Sequence, residues 1–228
     1  MLYEFESMIG FPLERISSET ILLDRDHKYY EIDKNGHVSK IQIGLSEAFL
    51  LQNLPENINL LTNLESLVLA GGCPRGTIPE SISQLKSLKY LDASHSYLKV
   101  IPEPFYNISS LVALNLGWNR IEEVKDSIGK LTSLKSLILA YNKFHKLPDS
   151  IGELKDLQYL SIWGNTLNYI PDSIMDLKAL EFLEVYENDM VMIPNHIKDF
   201  IEELNTPYLK AIAGIDDKKN RAFKKRKD

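Results

Sequence analysis

Apolar residues return along this chain at a fixed interval, most clearly in residues 134–165. Leu134, Leu137 and Leu139 open this stretch, and the same order starts again at Leu157, 23 residues after Leu134. A fixed period of this size is typical of solenoid proteins, in which each repeat is one structural unit that stacks on its neighbours. The sequence therefore predicts a stack of similar coils.

The repeat units have a common internal pattern. Positions one, four and six are apolar, and spacings of three and two favour a short strand after a bend rather than a helix. Position nine is asparagine in the last four units, where a buried amide can bond free backbone groups of neighbouring coils. Ser96 and Gly72 take this position in the earlier units, so we expect a weaker ladder there. The six units, separated by 24, 23, 23, 23 and 23 residues, begin at Leu64, Leu88, Leu111, Leu134, Leu157 and Leu180.

An apolar-Pro pair follows most of the predicted strands, as in Ile101-Pro102 and Ile170-Pro171. Apolar residues then recur every three positions, which predicts a 3₁₀ turn or a short helix, and proline suits the first turn of a helix. One unit departs from the pattern, with Val124-Lys125 in place of the pair.

The flanking segments predict caps for the two ends of the stack. Asn35-Gly36 lies between alternating apolar runs, which is a strong hairpin signal. Ile197, Ile201 and Leu204 have helical spacing after the repeat register fails. We therefore expect four parts: an N-terminal cap with a β-hairpin at residues 1–37, repeats at 38–193, a C-terminal capping helix at 194–215 and a basic tail at 216–228.

The unit L-x-x-L-x-L-x-x-N-x-L-x-x-L-P-x-x-I-x-x-L, which covers residues 38–204, resembles the leucine-rich repeat family. It is similar to the 23-residue intracellular class of Ras-group proteins and bacterial relatives, and Gly76-Thr77-Ile78-Pro79 is similar to a phrase of the plant-type repeat. The resemblance implies an α/β fold: a right-handed horseshoe with a parallel sheet on the concave side and short helices or 3₁₀ turns on the convex side. It also implies a protein-binding role.

Positions three, five, seven and eight of each unit point away from the leucines and should line the concave side. Both tryptophans fall at such positions, and the 23-residue period makes Trp118 a neighbour of Tyr141. The same spacing pairs Trp163 with Tyr186, and Tyr159 with Phe182. The predicted partner-binding residues are Tyr90, Asp92, His95, Trp118, Tyr141, Tyr159, Trp163, Phe182, Glu184, Tyr186 and Glu187.

Two interpretations of these aromatic residues stay open. Exposed aromatic side chains are typical anchors of protein interfaces, but they also pack on one another across strands. Acidic residues lie at both ends of the aromatic zone, Asp92 at one end and Glu184, Glu187 and Asp189 at the other. The binding interpretation therefore predicts a protein or peptide partner with apolar anchors and flanking Lys or Arg. A scaffold, or a regulator of a signalling enzyme, is an alternative.

Composition places the chain among soluble globular proteins, with 44% hydrophobic and 25% charged residues in a length of 228. No apolar run reaches the roughly 20 residues of a membrane-spanning helix, and the first residues lack the pattern of a secretory signal. Cys73 is the only cysteine, so no internal disulfide forms. We expect a cytoplasmic monomer, with secretion by a non-classical route as the alternative.

Charge is distributed unevenly. The tail after Asp217 has a net charge of +6, which leaves −12 for residues 1–217 out of a total of −6. An acidic body argues against a nucleic-acid-binding main surface, because phosphate contacts need clustered Lys and Arg. The basic tail is either a solvated end or a contact for nucleic acid, an anionic surface or an import receptor.

The sequence does not predict an enzyme. Asp92, Ser94 and His95 are close together, but no second group is placed to orient the imidazole as a catalytic triad requires. The other histidines lack metal-ligand spacing, and no glycine-rich phosphate loop is present. We therefore expect no catalytic, cofactor or metal site and no small-molecule substrate.

Overall fold

The computed structural model describes residues 14–15, 28–43, 54–71, 78–190 and 193–204. The predictions for Gly72, Cys73 and the basic tail lie outside these residues. One sheet runs through the described part of the chain, and its strands are neighbours in sequence order. They are β1 Glu14–Arg15, β2 Lys28–Ile32, β3 Val38–Ile43, β4 Ser66–Val68, β5 Tyr90–Asp92, β6 Ala113–Asn115, β7 Ser136–Ile138, β8 Tyr159–Ser161 and β9 Phe182–Glu184.

Strands β3–β9 are parallel and in register, so equivalent positions of successive units form straight columns. Strand β2 pairs antiparallel with β3, in agreement with the hairpin predicted at Asn35-Gly36. The side chain of Asp33 accepts hydrogen bonds from the backbone N–H groups of Asn35 and His37, and Gly36 adopts a φ of +84°. This short connection delivers the chain directly into the first strand of the parallel stack.

One 3₁₀ turn lies between each two successive strands from β3 to β9, which confirms the predicted 3₁₀ turns. The proline of the apolar-Pro pair lies one residue before the turn at Pro79, Pro102, Pro148 and Pro171, whereas Pro55 lies three residues before its turn and Pro104 is a second proline inside one. The turns are Ile58–Leu60, Glu80–Gln84, Glu103–Asn107, Asp126–Lys130, Asp149–Glu153 and Asp172–Asp176. One α-helix lies in the described residues, α1 Asn195–Glu203, and it buries Ile197 and Ile201 against the last unit.

The leucines of the repeat fill the space between the sheet and the turns. Those at position four are at most 1% exposed in all six units: Leu67, Leu91, Leu114, Leu137, Leu160 and Leu183. Full burial of one such side chain contributes about 1.5–3 kcal/mol. The stacked columns therefore supply most of the driving force for the fold.

The asparagines at position nine form the predicted ladder. The Asn142 side-chain amide donates to the carbonyl oxygens of Leu116, Leu139 and Ala140, and its Oδ1 accepts the N–H of Ile121 at 2.9 Å. Asn119, Asn165 and Asn188 repeat the donor contacts. These bonds join each unit to the one before it.

The unit that lacks proline has a local explanation. Tyr106 is buried in the turn Glu103–Asn107, at a place where the next two units have Gly129 and Gly152. Its hydroxyl accepts a long hydrogen bond of 3.4 Å from the backbone N–H of Lys125. Proline has no N–H and cannot supply this donor. The backbone N–H of Lys125 therefore gives the buried Tyr106 hydroxyl a donor that proline at this position would lack.

Candidate partner-binding face

We define the concave face as positions three, five, seven and eight of the six units. The parallel register places these positions in columns across β4–β9. Several of its aromatic side chains are open to solvent, with Trp118 52% and Phe182 43% exposed. Large apolar side chains in such positions are not required by the interior packing.

Five rings form a continuous column along one edge of this face, and we call it the aromatic ridge. The rings of His95 and Trp118 are nearly parallel, with centroids 5.4 Å apart, and Trp118 stacks on Tyr141 with centroids 3.8 Å apart. Tyr141 meets the edge of Trp163 at 4.1 Å, and Trp163 lies 4.6 Å from Tyr186. The ridge crosses five successive units. The predicted pairs Trp118–Tyr141 and Trp163–Tyr186 are confirmed as neighbours.

The backbone beneath the ridge is held in a strained conformation. Position eight has a positive φ in every unit, from 53° to 76°. Gly71 and Gly164 take this conformation without cost, but His95, Trp118 and Tyr141 do not, because a Cβ disfavours the left-handed region. Each such residue costs about 1 kcal/mol or more. The chain therefore keeps three bulky rings at positions where glycine would avoid this backbone strain.

Gly164 has a specific role in the ridge. A Cβ on this residue would lie 2.8 Å from Cδ1 of Tyr141, which is closer than real contacts allow. The Tyr141 ring therefore rests directly on the Gly164 backbone. Since position eight of this unit holds glycine, the ring that continues the ridge comes from position seven, Trp163.

A second aromatic pair lies on the opposite side of the concave face. The rings of Tyr159 and Phe182 are 6.4 Å apart, as predicted. The Tyr159 hydroxyl donates a 2.7 Å hydrogen bond to Oε2 of Glu184. Burial, followed by this carboxylate, raises the pKa of Tyr159 well above its usual range. The Glu184 side chain that accepts this hydrogen bond is half-buried.

Asp92, one of the predicted partner contacts, is largely enclosed by its own neighbours. Asp92 is 9% exposed, and its oxygens accept hydrogen bonds from the Ser94 backbone N–H, the Asn115 amide and the Tyr90 hydroxyl. Burial and the neighbouring carboxylate raise the pKa of Tyr90 to about 12. Asp92 therefore holds its own neighbours in place, because the next unit supplies an amide directly opposite it.

The concave face has one sign of charge. None of its 24 positions holds Lys or Arg, whereas Asp92, Glu184 and Glu187 lie on it. The pKa of Tyr141 is raised by burial and by the charge of Glu187. The face therefore presents aromatic rings and carboxylates, without an internal cation at any of these positions.

Some chemistries find no support in the described part of the chain. Within it, no group of three or more His, Cys, Asp or Glu side chains is arranged to hold a metal ion. His95 is a member of the ridge, stacked on Trp118, and Asp92 is engaged elsewhere. No helix among the described residues has the length and apolar character needed to cross a membrane.

Comparison with known proteins finds a family model that matches part of the repeats. The family model described as "Leucine-rich repeat region" matches residues 122–206. Among solved structures, the plant peptide hormone receptor RGFR1 in complex with RGF2 is 29% identical, with a TM-score of 0.53 over 64% of this chain. The ectodomain of GASSHO1/SCHENGEN3 from Arabidopsis thaliana, in complex with CASPARIAN STRIP INTEGRITY FACTOR 2, is 26% identical, with a TM-score of 0.55 over 75% of this chain.

The likeness extends to more distant proteins in fold alone. The TLR13–ssRNA13 complex is 23% identical, with a TM-score of 0.62 over 73% of this chain. The matches cover only 24%, 20% and 24% of the RGFR1, GASSHO1/SCHENGEN3 and TLR13 chains. No curated protein matches the sequence significantly. The repeats are thus a leucine-rich repeat solenoid, similar to part of these longer proteins.

Proposed function

We propose that this leucine-rich repeat solenoid is a non-catalytic interaction module that binds a protein or peptide partner on its concave face. The observation that carries the proposal is the strained aromatic ridge. Interior packing does not need rings at position eight, and the backbone there is less favourable for Trp118 and Tyr141 than for glycine. A binding role gives a reason for keeping them, since aromatic side chains dominate the energetics of interfaces.

Two similar structures support a peptide or protein as the partner. RGFR1 and GASSHO1/SCHENGEN3 were solved with RGF2 and CASPARIAN STRIP INTEGRITY FACTOR 2, respectively. The side chains of this concave face call for a partner with apolar groups that pack against the ridge and positive charge that faces Glu184 and Glu187. A cytoplasmic location and a monomeric state are part of the same proposal.

The ridge also defines how the partner makes contact. The faces of Trp118 and Tyr141 are stacked on one another at 3.8 Å, so each offers mainly its edge and only part of its face to a ligand. A row of ring edges buries apolar surface along its length without enclosing a pocket. This shape suits an extended segment or a flat protein surface better than a small molecule, which needs a pocket that encloses most of its surface.

The test is affinity capture from the source cells, followed by a binding titration with each purified partner. The Trp118→Ala/Tyr141→Ala double variant should lose at least one partner, because it removes the centre of the ridge. The control, Trp118→Phe/Tyr141→Phe, keeps a ring at both positions and should retain most of the binding. Retention of every partner by the alanine variant, with unchanged circular dichroism, would refute the proposal.

A further inference from the structure

Four aromatic side chains flank one carboxylate in the order of concave positions of the last two units, and we call this group, Tyr159, Trp163, Phe182, Glu184 and Tyr186, the carboxylate box. On β9, Glu184 comes two residues after Phe182, so both point to the concave side, and Tyr186 follows after the strand at position seven. In the preceding unit, Tyr159 on β8 pairs with Phe182, and Trp163, which follows that strand, packs against Tyr186. In the order of concave positions, Glu184 therefore lies between the Tyr159–Phe182 pair and the Trp163–Tyr186 pair.

The carboxylate in the box differs from the other concave carboxylate that bonds a tyrosine. Asp92 has three donors of its own and is 9% exposed. Glu184 is half-buried, and among the described residues the Tyr159 hydroxyl is its one assigned donor, on Oε2. A partly desolvated carboxylate gains more from a cation than a fully exposed one does, because water screens the charge less.

A buried hydroxyl lies next to Glu184 in the strand register. Ser161 lies opposite Glu184 in the register of β8 and β9 and is 1% exposed. An interaction with the Ser161 hydroxyl lowers the pKa of Tyr159, so Oγ has a polar neighbour in that tyrosine. The Tyr159 hydroxyl therefore interacts with both Ser161 and the Glu184 carboxylate.

We propose that the carboxylate box binds the cationic end of a lysine or arginine side chain presented by the partner. This inference rests on the proposed function and names one contact within it. Charge complementarity selects a cation, because the concave positions supply carboxylates and no Lys or Arg. Rings around a carboxylate add cation–π attraction to the charge-assisted hydrogen bond.

The experiment measures binding of single-residue probes by NMR. N-acetyl-arginine N-methylamide and N-acetyl-lysine N-methylamide are titrated into the full chain. The probe N-acetyl-citrulline N-methylamide has nearly the shape of the arginine probe but no charge, and it serves as the neutral control. The chain has two tryptophans, so the indole N–H signal of Trp163 is assigned by comparison with Trp118→Phe.

We expect at least one cationic probe to shift the Trp163 signal in a saturable way, and the citrulline probe to bind at least several times more weakly. Glu184→Gln should weaken the cationic probe about tenfold, the change expected for loss of one charge-assisted hydrogen bond. It keeps an acceptor for Tyr159. Glu181→Gln removes an exposed charge just before the same strand and should change little.

Two results would overturn the inference: equal binding of the arginine and citrulline probes, or equal weakening by Glu184→Gln and Glu181→Gln. Either failure is distinguishable from failure of the proposed function. If the box does not bind cations, Trp118→Ala/Tyr141→Ala still abolishes capture of the partner, whereas Glu184→Gln leaves that capture unchanged.

Discussion

Strands β4–β9 turn leucines to one side and the concave face to the other, and the two sides follow the repeat to different degrees. On the interior side, position four is leucine in all six units. On the concave side, position eight is Gly, His, Trp, Tyr, Gly and Glu in turn. The interior repeats because every coil packs on identical neighbours. The concave face varies because packing does not fix it.

The backbone sharpens the comparison. Interior residues have ordinary conformations, whereas His95, Trp118 and Tyr141 hold a positive φ that favours glycine. A departure from local preference that packing does not explain indicates a selected function. The interior and the concave face should therefore respond differently to substitution.

The largest effect is expected from Leu137→Ala. Leu137 is fully buried, and its truncation leaves a cavity between two coils. We expect a loss of about 2–5 kcal/mol in the free energy of unfolding. Its neighbour Ile138 lies on the concave side of the same strand, and Ile138→Ala is the matched control. Urea unfolding of both variants measures the difference, and similar losses would break the comparison.

A smaller effect is expected from Asn142→Ala. The variant leaves three carbonyl oxygens and the Ile121 N–H without the Asn142 side chain. Loss of such buried bonds costs about 1–3 kcal/mol. Asn165 keeps the donor contacts, but its Oδ1 has no partner among the described residues. Asn165→Ala should therefore cost less than Asn142→Ala, and the reverse order, by urea unfolding, would contradict this account of the ladder.

The repeat that lacks proline allows a finer test within the interior. Lys125 has a φ of −80°, which proline tolerates. In the Tyr106→Phe background, Lys125→Pro should stabilise the chain by about 0.4–1 kcal/mol by restricting the unfolded state. With Tyr106 present, the substitution removes the donor to the buried hydroxyl, and the gain should disappear. Thermal unfolding of the double-mutant cycle measures this coupling, and independent, additive effects would show that Lys125 has no such role.

An effect confined to alkaline pH is expected from Tyr106. Burial raises the pKa of Tyr106 to about 12, whereas an unfolded tyrosine ionises near pH 10. The folded state therefore holds the proton over this interval and the unfolded state releases it, so stability falls as pH rises from about 10 to about 12. Tyr106→Phe should show a shallower fall in unfolding free energy over the same interval. An identical fall in both proteins would show that Tyr106 does not contribute.

The sequence predicted which residues form columns across the units, but it did not predict the left-handed backbone at position eight. The interval of 23 residues predicted the leucine core, the Asn142 ladder and the ring pair Trp118–Tyr141. It missed the contact between Tyr141 and Trp163, because these rings come from positions eight and seven. Glycine at position eight, as in Gly164, was the available signal of a left-handed backbone.

Contacts between different positions of neighbouring units were also missed. The bond between Tyr106 and Lys125 joins residues that no periodicity pairs. Asp92 was assigned to the exposed face because its strand position points outward, but Asn115 and Tyr90 enclose it. A repeat pattern shows which side a residue takes, and its neighbours decide how much of it stays exposed.

The central claim is that the aromatic ridge serves binding rather than stability. Its most direct test is the Trp118→Gly/Tyr141→Gly double variant, measured for unfolding and for partner binding in the same preparation. The relief of backbone strain at each residue is about 1 kcal/mol, and the loss of each ring contact is also about 1 kcal/mol, so the two effects offset one another. We predict a stability within about 1 kcal/mol of the wild type and a loss of partner binding. A loss of stability similar to that of Leu137→Ala, with binding retained, would contradict the account.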